Sequence, residues 1–374
     1  MKNGIQFDKR IKSIDVVRGI PIFILLICEN TWHWMRGGKQ LSHSAWNGLT
    51  LADFGFPLFV TCLGVTIPIS INNRLKKGDS TLRVFLNILR RSVILIILGL
   101  ILNYWKTKTL VGLRYPGVLQ RMAIVYFVTS LLYLLFKKIK ISESRISWIF
   151  LAMAIAITIG YYLIAKPYGF DIEGNLAQKV DLFLFKGHLH TPTFDPDGFL
   201  TDIVSIASGM FGCTFGCIMY DKEFSDKKKI LHMFVLGGLL FISSFIVDKY
   251  FFPFNKRLWS SSFVLIMAGI FGISLSVFYY ICDIKNINKI FTPLRALTLS
   301  PILLYMVISF LNDYVWIKNV NYNGKNIWLC QEIVSKYFTS WSGELDIIVF
   351  TSAYVLAWVL VTMILYKKKI IIKI

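Results

Sequence analysis

Long apolar runs alternate with short polar stretches along almost the whole chain. About 20 apolar residues cross the hydrocarbon core of a bilayer as a helix. On that rule ten runs stand out: Val16–Glu29, Leu51–Ile71, Val84–Tyr104, Val118–Phe136, Ser147–Ala165, Phe199–Tyr220, Ile230–Val247, Trp259–Ile281, Ala296–Leu311 and Leu345–Tyr366. The ninth is short and the third begins with polar residues. The pattern predicts an all-α, polytopic integral membrane protein with about ten transmembrane helices. No low-complexity linker, internal repeat or separate soluble module interrupts it, so residues 1–374 read as a single transmembrane domain.

An even number of spans puts both termini on one side, and the loops of that side carry most of the Lys and Arg. The positive-inside rule then places both termini in the cytoplasm. The 32–50, 166–198 and 312–344 loops are expected to face outward. The first run lacks a small-residue cleavage site and carries Asp15, Arg18 and Pro21. It is therefore expected to remain as the first span rather than leave as a signal peptide.

Composition sharpens this. The chain is 55% hydrophobic and 17% charged, with mean hydropathy +0.60. A soluble domain of this size needs a more polar surface. The net charge of +20 sits in short loops between apolar runs, where it sets topology, and it forms no basic patch that would call for nucleic acid. Of the six cysteines, Cys213 and Cys217 share a helix face, and the set reads as small apolar packing residues. No spacing suggests a disulfide framework or a metal site.

Polar groups within or beside apolar spans are costly and tend to be functional. Asp15 and Arg18 are three apart on one helix face, either as a structural ion pair or as contacts to a charged ligand from the cytoplasm. Asn30, at the outer end of the first run, either caps the helix or offers its amide to a carbonyl oxygen. His43 places a proton-accepting group at the membrane boundary. Thr50 and Asp53 have capping-box spacing, although Asp53 could equally orient a nearby imidazole. Arg114 and Arg121 either anchor an outer loop or bind an anion, and His188 and His190 are two ligands short of a zinc site. There is no Walker loop, no Gly-x-Ser-x-Gly elbow and no His-Glu-x-x-His.

The wording from His43 to Asp53 (His43-x-x-Trp46-Asn47-Gly48-Leu49-Thr50-Leu51-Ala52-Asp53, then Phe56-Pro57) resembles the membrane-embedded heparan-α-glucosaminide N-acetyltransferase family and its bacterial relatives. Four further stretches agree in the same order: Ile14-Asp15-x-x-Arg18-Gly19, Pro116-Gly117-Val118-Leu119-Gln120-Arg121, Asp195-Pro196-Asp197-Gly198 and Leu258-Trp259-Ser260-x-Ser262-Phe263-Val264. The tail Tyr366-Lys367-Lys368-Lys369-Ile370 with Lys373-Ile374 matches too. Two departures stand out: Asp197 replaces a frequent Glu, and Thr298-Leu299-Ser300 stands where the family often has Gly-x-Asn. Without the large lumenal domain of the animal enzymes, the chain resembles the bacterial, core-only form.

The resemblance implies a ten-span acyltransferase, multi-pass in the cell membrane, and suggests a homodimer. It would take acetyl-CoA from the cytoplasm and deliver acetyl to the amine of a glucosamine-type sugar or glycan on the outer face. It maps the active-site histidine onto His43 and the active-site asparagine onto Asn30, with Asp53 as orienting partner. Asp15, Arg18, Trp46, Asn47, Arg114, Gln120, Arg121, Trp259 and Ser260 become the substrate- and CoA-binding candidates, and no metal is implied. Direct transfer and an acetyl-histidine intermediate both fit. The alternative from another class is an amino-sugar transporter. The lack of a repeat and of a coupling-ion cluster weighs against it.

Overall fold

The computed structural model describes residues 11–31, 39–312, 318–322 and 324–370, with the backbone alone for residues 30, 31, 340 and 344. Among these residues the chain forms fourteen helices: α1 (Lys12–Thr31), α2 (Gly55–Lys76), α3 (Thr81–Thr107), α4 (Val118–Lys138), α5 (Glu143–Ala165), α6 (Leu176–Phe185), α7 (Phe199–Tyr220), α8 (Asp226–Tyr250), α9 (Ser261–Phe278), α10 (Thr292–Leu297), α11 (Pro301–Leu311), α12 (Leu329–Tyr337), α13 (Thr339–Ser342) and α14 (Asp346–Lys367). Nine of the ten predicted spans each fall on one helix. By length and composition, eight helices are apolar enough to cross a membrane: α2 to α5, α7 to α9 and α14. The chain is a multi-pass, essentially all-α membrane protein.

The other two predicted spans differ from expectation for local reasons. Helix α1 has the length but carries Lys12, Asp15, Arg18 and Glu29. The ninth predicted span is two helices, not one. Pro301 has no N–H and drives the residue before it out of helical geometry. Ser300 accordingly sits at φ −146°, ψ 65°, so α10 stops at Leu297 and α11 starts afresh at Pro301. At 1.5 Å per residue α11 is only about 16 Å long. A small antiparallel hairpin, β1 (Asn319–Tyr322) paired with β2 (Lys325–Trp328), is the departure from pure helix.

Helix α7 is the centre of the bundle and is buried along almost its whole length. Glycine makes this possible. A Cβ on Gly212 would strike the Thr61 carbonyl oxygen, one on Gly216 the Val65 carbonyl, and one on Gly64 the Gly209 carbonyl. Helices α2 and α7 therefore meet backbone to backbone, as small residues permit where lipid tails supply no hydrophobic drive for helix association. Helices α3 and α8 instead turn Leu86, Ile97, Leu239 and Ile242 outward, as lipid-facing elements do. All six cysteines are buried.

The helix ends are fixed by carboxylates. Asp283 accepts from the Lys12 and Ser13 amides (2.9 Å each) and so closes the start of α1 from beyond α9. At the opposite end of the bundle Asp181 of α6 accepts from the Phe199 amide (2.8 Å) at the start of α7. Its second oxygen is buried against Gly198 and meets no hydrogen-bond donor among the described residues. Burial pushes the Asp181 carboxyl up to about 7; the Phe199 amide opposes this and Asp195 adds to it.

Two tests follow from this packing. Gly212→Leu should abolish a monodisperse folded peak in size-exclusion chromatography. Gly160→Ala, where a Cβ meets nothing, should leave that peak intact. Because folding raises the Asp181 pKa, its contribution to stability is greatest in acid and is lost as pH rises through about 7. Asp181→Asn should therefore gain in melting temperature over the wild type as the pH of a thermal unfolding series is raised from mildly acidic to mildly alkaline.

Candidate active site

Four connecting segments meet at the end of the bundle where α1 finishes and α2, α4, α7 and α9 begin. The first carries His43. Its Nδ1 lies 2.8 Å from Asp53 Oδ1. An ionised carboxylate only accepts, so Nδ1 holds the proton and Nε2 is left as the acceptor. The His43 side chain is 32% exposed and Asp53 is 1% exposed. The base is thus reachable from outside while its orienting partner is not.

Asp53 serves both purposes that its spacing allowed. One oxygen binds His43. The other accepts from the Thr50 amide (3.1 Å), the Thr50 hydroxyl (2.9 Å) and the Ser44 amide (3.2 Å). It closes the capping box of the 3-10 turn Leu51–Asp53 that leads into α2. One carboxylate therefore starts the helix and aims the imidazole.

The loop between α8 and α9 is tied to the His43 segment at two points. The Gly48 amide donates to the Phe254 carbonyl (2.8 Å), and Asn255 Nδ2 donates to Asn47 Oδ1 (3.0 Å). This brings Lys256, which no motif had singled out, against the ring. Its Nζ lies 3.1 Å from His43 Nδ1, 3.4 Å from Nε2 and 3.6 Å from Asp53 Oδ1. Burial pushes the Lys256 ammonium below its ordinary range, against the opposing pull of Asp53, Asp197 and Glu29.

Trp46 donates from Nε1 to the Phe170 carbonyl (2.7 Å) and meets Phe194 edge to face. It forms an aromatic wall of the same mouth. Behind it lies a network of ions. Arg114 grips Asp195 with Nε and Nη2 (2.8 and 2.6 Å) and reaches Asp197 (3.0 Å). Arg121 binds Asp202 (2.6 Å), the Thr201 hydroxyl (2.6 Å) and the Pro196 carbonyl (3.0 Å), and stands 3.4 Å from Asp197. Burial alone would raise the Asp197 carboxyl, but the two guanidiniums outweigh it and hold it below the usual range. The same carboxylates push the Arg114 guanidinium higher still, against burial.

The sequence expectations divide accordingly. His43, Asp53, Trp46 and Asn47 come together at the mouth. Arg114 and Arg121 are neutralised by the chain's own carboxylates, so they are not free to meet an external anion. Trp259 and Ser260 lie one layer behind, almost wholly buried. The Trp259 Nε1 donates to Ser208, its ring stacks under Arg121 (4.4 Å), and Ser260 caps α9. Gln120 is buried between Gly99 and Gly117, and its Nε2 meets no partner among the described residues. Asp15 and Arg18 pair loosely (3.9 Å) in the other half of α1; about 16 Å of helix separates Arg18 from Glu29. Asn30 is in the last turn of α1, and its side chain lies outside the described residues. His188 is used structurally: it stacks on Tyr115 and bonds the Leu113 carbonyl (2.8 Å).

No family model matches the chain. It is 29% identical to the heparan-α-glucosaminide N-acetyltransferase of Homo sapiens and 28% identical to that of Mus musculus, in each case over 98% of this chain. The chain spans 60% of the length of those relatives. Over nearly its whole length, then, the chain resembles the heparan-α-glucosaminide N-acetyltransferases, to which its ordered motifs first pointed.

Proposed function

We propose that this protein is a transmembrane acyltransferase of the cell membrane, moving an acetyl group from cytoplasmic acetyl-CoA to the amine of a glucosamine-type sugar on the outer face. The observation that carries this reading is the His43–Asp53 pair, set at a bundle end in the same ordered motifs that the N-acetyltransferase likeness covers. Acyl transfer from a thioester to an amine needs a base for the amine and a donor for the developing oxyanion.

His43 supplies the base. As the amine nitrogen attacks the thioester carbon, Nε2 takes the amine proton; the C–S bond breaks, and the departing sulfur takes that proton from the imidazolium, which restores the base. The products are the N-acetyl sugar and the free thiol of CoA. Asp53 balances the imidazolium formed on the way, as a buried carboxylate does beneath a catalytic histidine. Asn30 is the proposed donor to the thioester oxygen. Asp15 and Arg18, with Lys12, Arg90, Arg91 and Arg295, are the proposed contacts for the CoA end, half a membrane away. A long, flexible donor suits that separation between its charged head and its reactive sulfur.

The test is acetyl transfer from labelled acetyl-CoA to glucosamine by purified protein in detergent. A general base contributes about 10²–10⁴-fold. His43→Ala should lower turnover by that factor while the protein still elutes as a monodisperse folded peak, its melting temperature falling only by what Asp53 loses with one donor. Undiminished turnover in the variant would remove His43 from the mechanism. Label retained on the protein without acceptor, and lost in His43→Ala, would favour an acetyl-histidine intermediate. Saturable sugar uptake into vesicles without CoA would instead favour transport.

A further inference from the structure

The loop that carries Lys256 is built with more care than a connection between two helices requires. Asn255 accepts from the Leu258 amide (2.8 Å), its own amide donates to Ser260 Oγ (3.0 Å), and the Trp259 amide closes back on the Lys256 carbonyl (3.1 Å). Closing this turn puts Trp259 at φ +51°, a left-handed conformation that bulky side chains rarely adopt. Such a residue is strained and persists only where its surroundings over-determine it. Here they do: the Trp259 ring is packed among Phe56, Phe263 and Arg121. The product of all this is the placement of one ammonium beside both nitrogens of His43 and within reach of Asp53.

We propose that Lys256 is a positioning residue of the acetyl-transfer site, acting through His43 and Asp53 to hold the imidazole with Nε2 turned toward the incoming amine. This rests on the reading of the reaction given above. Asp53 Oδ1 alone fixes one atom of the ring, about which the imidazole can still swing. The ammonium cannot donate to the protonated Nδ1; it holds Oδ1 of Asp53 from a second direction (3.6 Å), and so steadies the carboxylate that aims the ring, while offsetting its negative charge where water is scarce. The charged or titratable groups that face Lys256 are His43 from the first loop, Asp53 from the start of α2, Cys28 and Glu29 from the end of α1, and Asp197 from the segment before α7.

The role has a pH signature. A positioning ammonium works only while it is charged. Because burial lowers its pKa, Lys256 loses its proton at a lower pH than an exposed lysine does. Activity should therefore fall on the alkaline side as Lys256 deprotonates. An arginine keeps its charge throughout this range.

The experiment compares wild type, Lys256→Arg and Lys256→Met in acetyl transfer to glucosamine across neutral and alkaline pH, with thermal unfolding of each. Lys256→Met should lose about tenfold in kcat, less than the roughly 10²–10⁴-fold that removing the general base itself forfeits. Its KM for acetyl-CoA should stay close to that of the wild type. Lys256→Arg should recover most of the rate, with its alkaline limb moved to higher pH. A Lys256→Met protein with wild-type kcat, or a Lys256→Arg profile that superimposes on the wild type, would overturn the assignment. Should Lys256→Met fail to fold, the Lys256→Arg profile decides alone. A wild type that transfers acetyl beside unaltered variants sinks only Lys256; one that acetylates no amino sugar sinks the reaction and this role with it.

Discussion

The Asp53 carboxylate is almost completely enclosed, and its two oxygens join helix geometry to chemistry. A buried carboxylate is tolerated only when each lone pair finds a donor. Asp53 finds them in Thr50, Ser44, His43 and, a little further off, Lys256. Because Asp53 and its Thr50 donor belong to the turn that begins α2, the direction of the imidazole is set by where that helix starts. A shift of α2 by one residue would carry Asp53 round the helix and leave the ring unsupported. The close crossing of α2 with α7 through Gly64, Gly209, Gly212 and Gly216 holds α2 in that register. Backbone packing deep in the bundle thus positions a proton acceptor at its rim.

The ionic network behind the site follows the same logic. Isolated charges at this depth would be prohibitive, and even paired ones return little net stability. Their value is geometric. Arg114 and Arg121, near the start of α4, reach across to Asp195, Asp197 and Asp202 at the start of α7, so two helix ends and the segment between them are locked by planar, multidentate contacts. Arg121 also covers the Trp259 ring, which carries the constraint onward to the loop that presents Lys256.

How much of this was legible in the sequence depended on the range of the interaction. The helices were legible because a span is a local property of consecutive apolar residues. The break at Pro301 was less so, since the apolar run continues through it and only the proline reports the discontinuity. The hairpin of Asn319–Trp328 was hidden for another reason: each strand has four residues and neither shows a buried face. His43 and Asp53 were readable because they lie ten residues apart in one motif. The carboxylate partners of Arg114 and Arg121 lie some eighty positions away, and no spacing rule reaches that far. Lys256 is the sharpest case, being 213 positions from His43. In a membrane protein a loop lysine is read as a topology signal. The one local cue was its position three residues before the Trp259-Ser260 motif.

The charge balance at this end of the bundle bears on the acceptor. Arg114, Arg121 and Lys256 face Asp53, Asp195, Asp197 and Asp202, so the fixed cations fall one short of the carboxylates they contact. Glu29 lies close enough to act on Lys256 and adds to the deficit. A frame with surplus negative charge in a poorly hydrated place draws in a cation and stabilises positive charge as it develops. On the proposed reaction an amino sugar arrives as an ammonium and sheds one proton to solvent before attack; the proton it gives up during attack then leaves positive charge on His43. The same frame thus serves recruitment and reaction in turn. A neutral hydroxyl acceptor would gain from the second effect but not from the first, which is the electrostatic ground for preferring an amine.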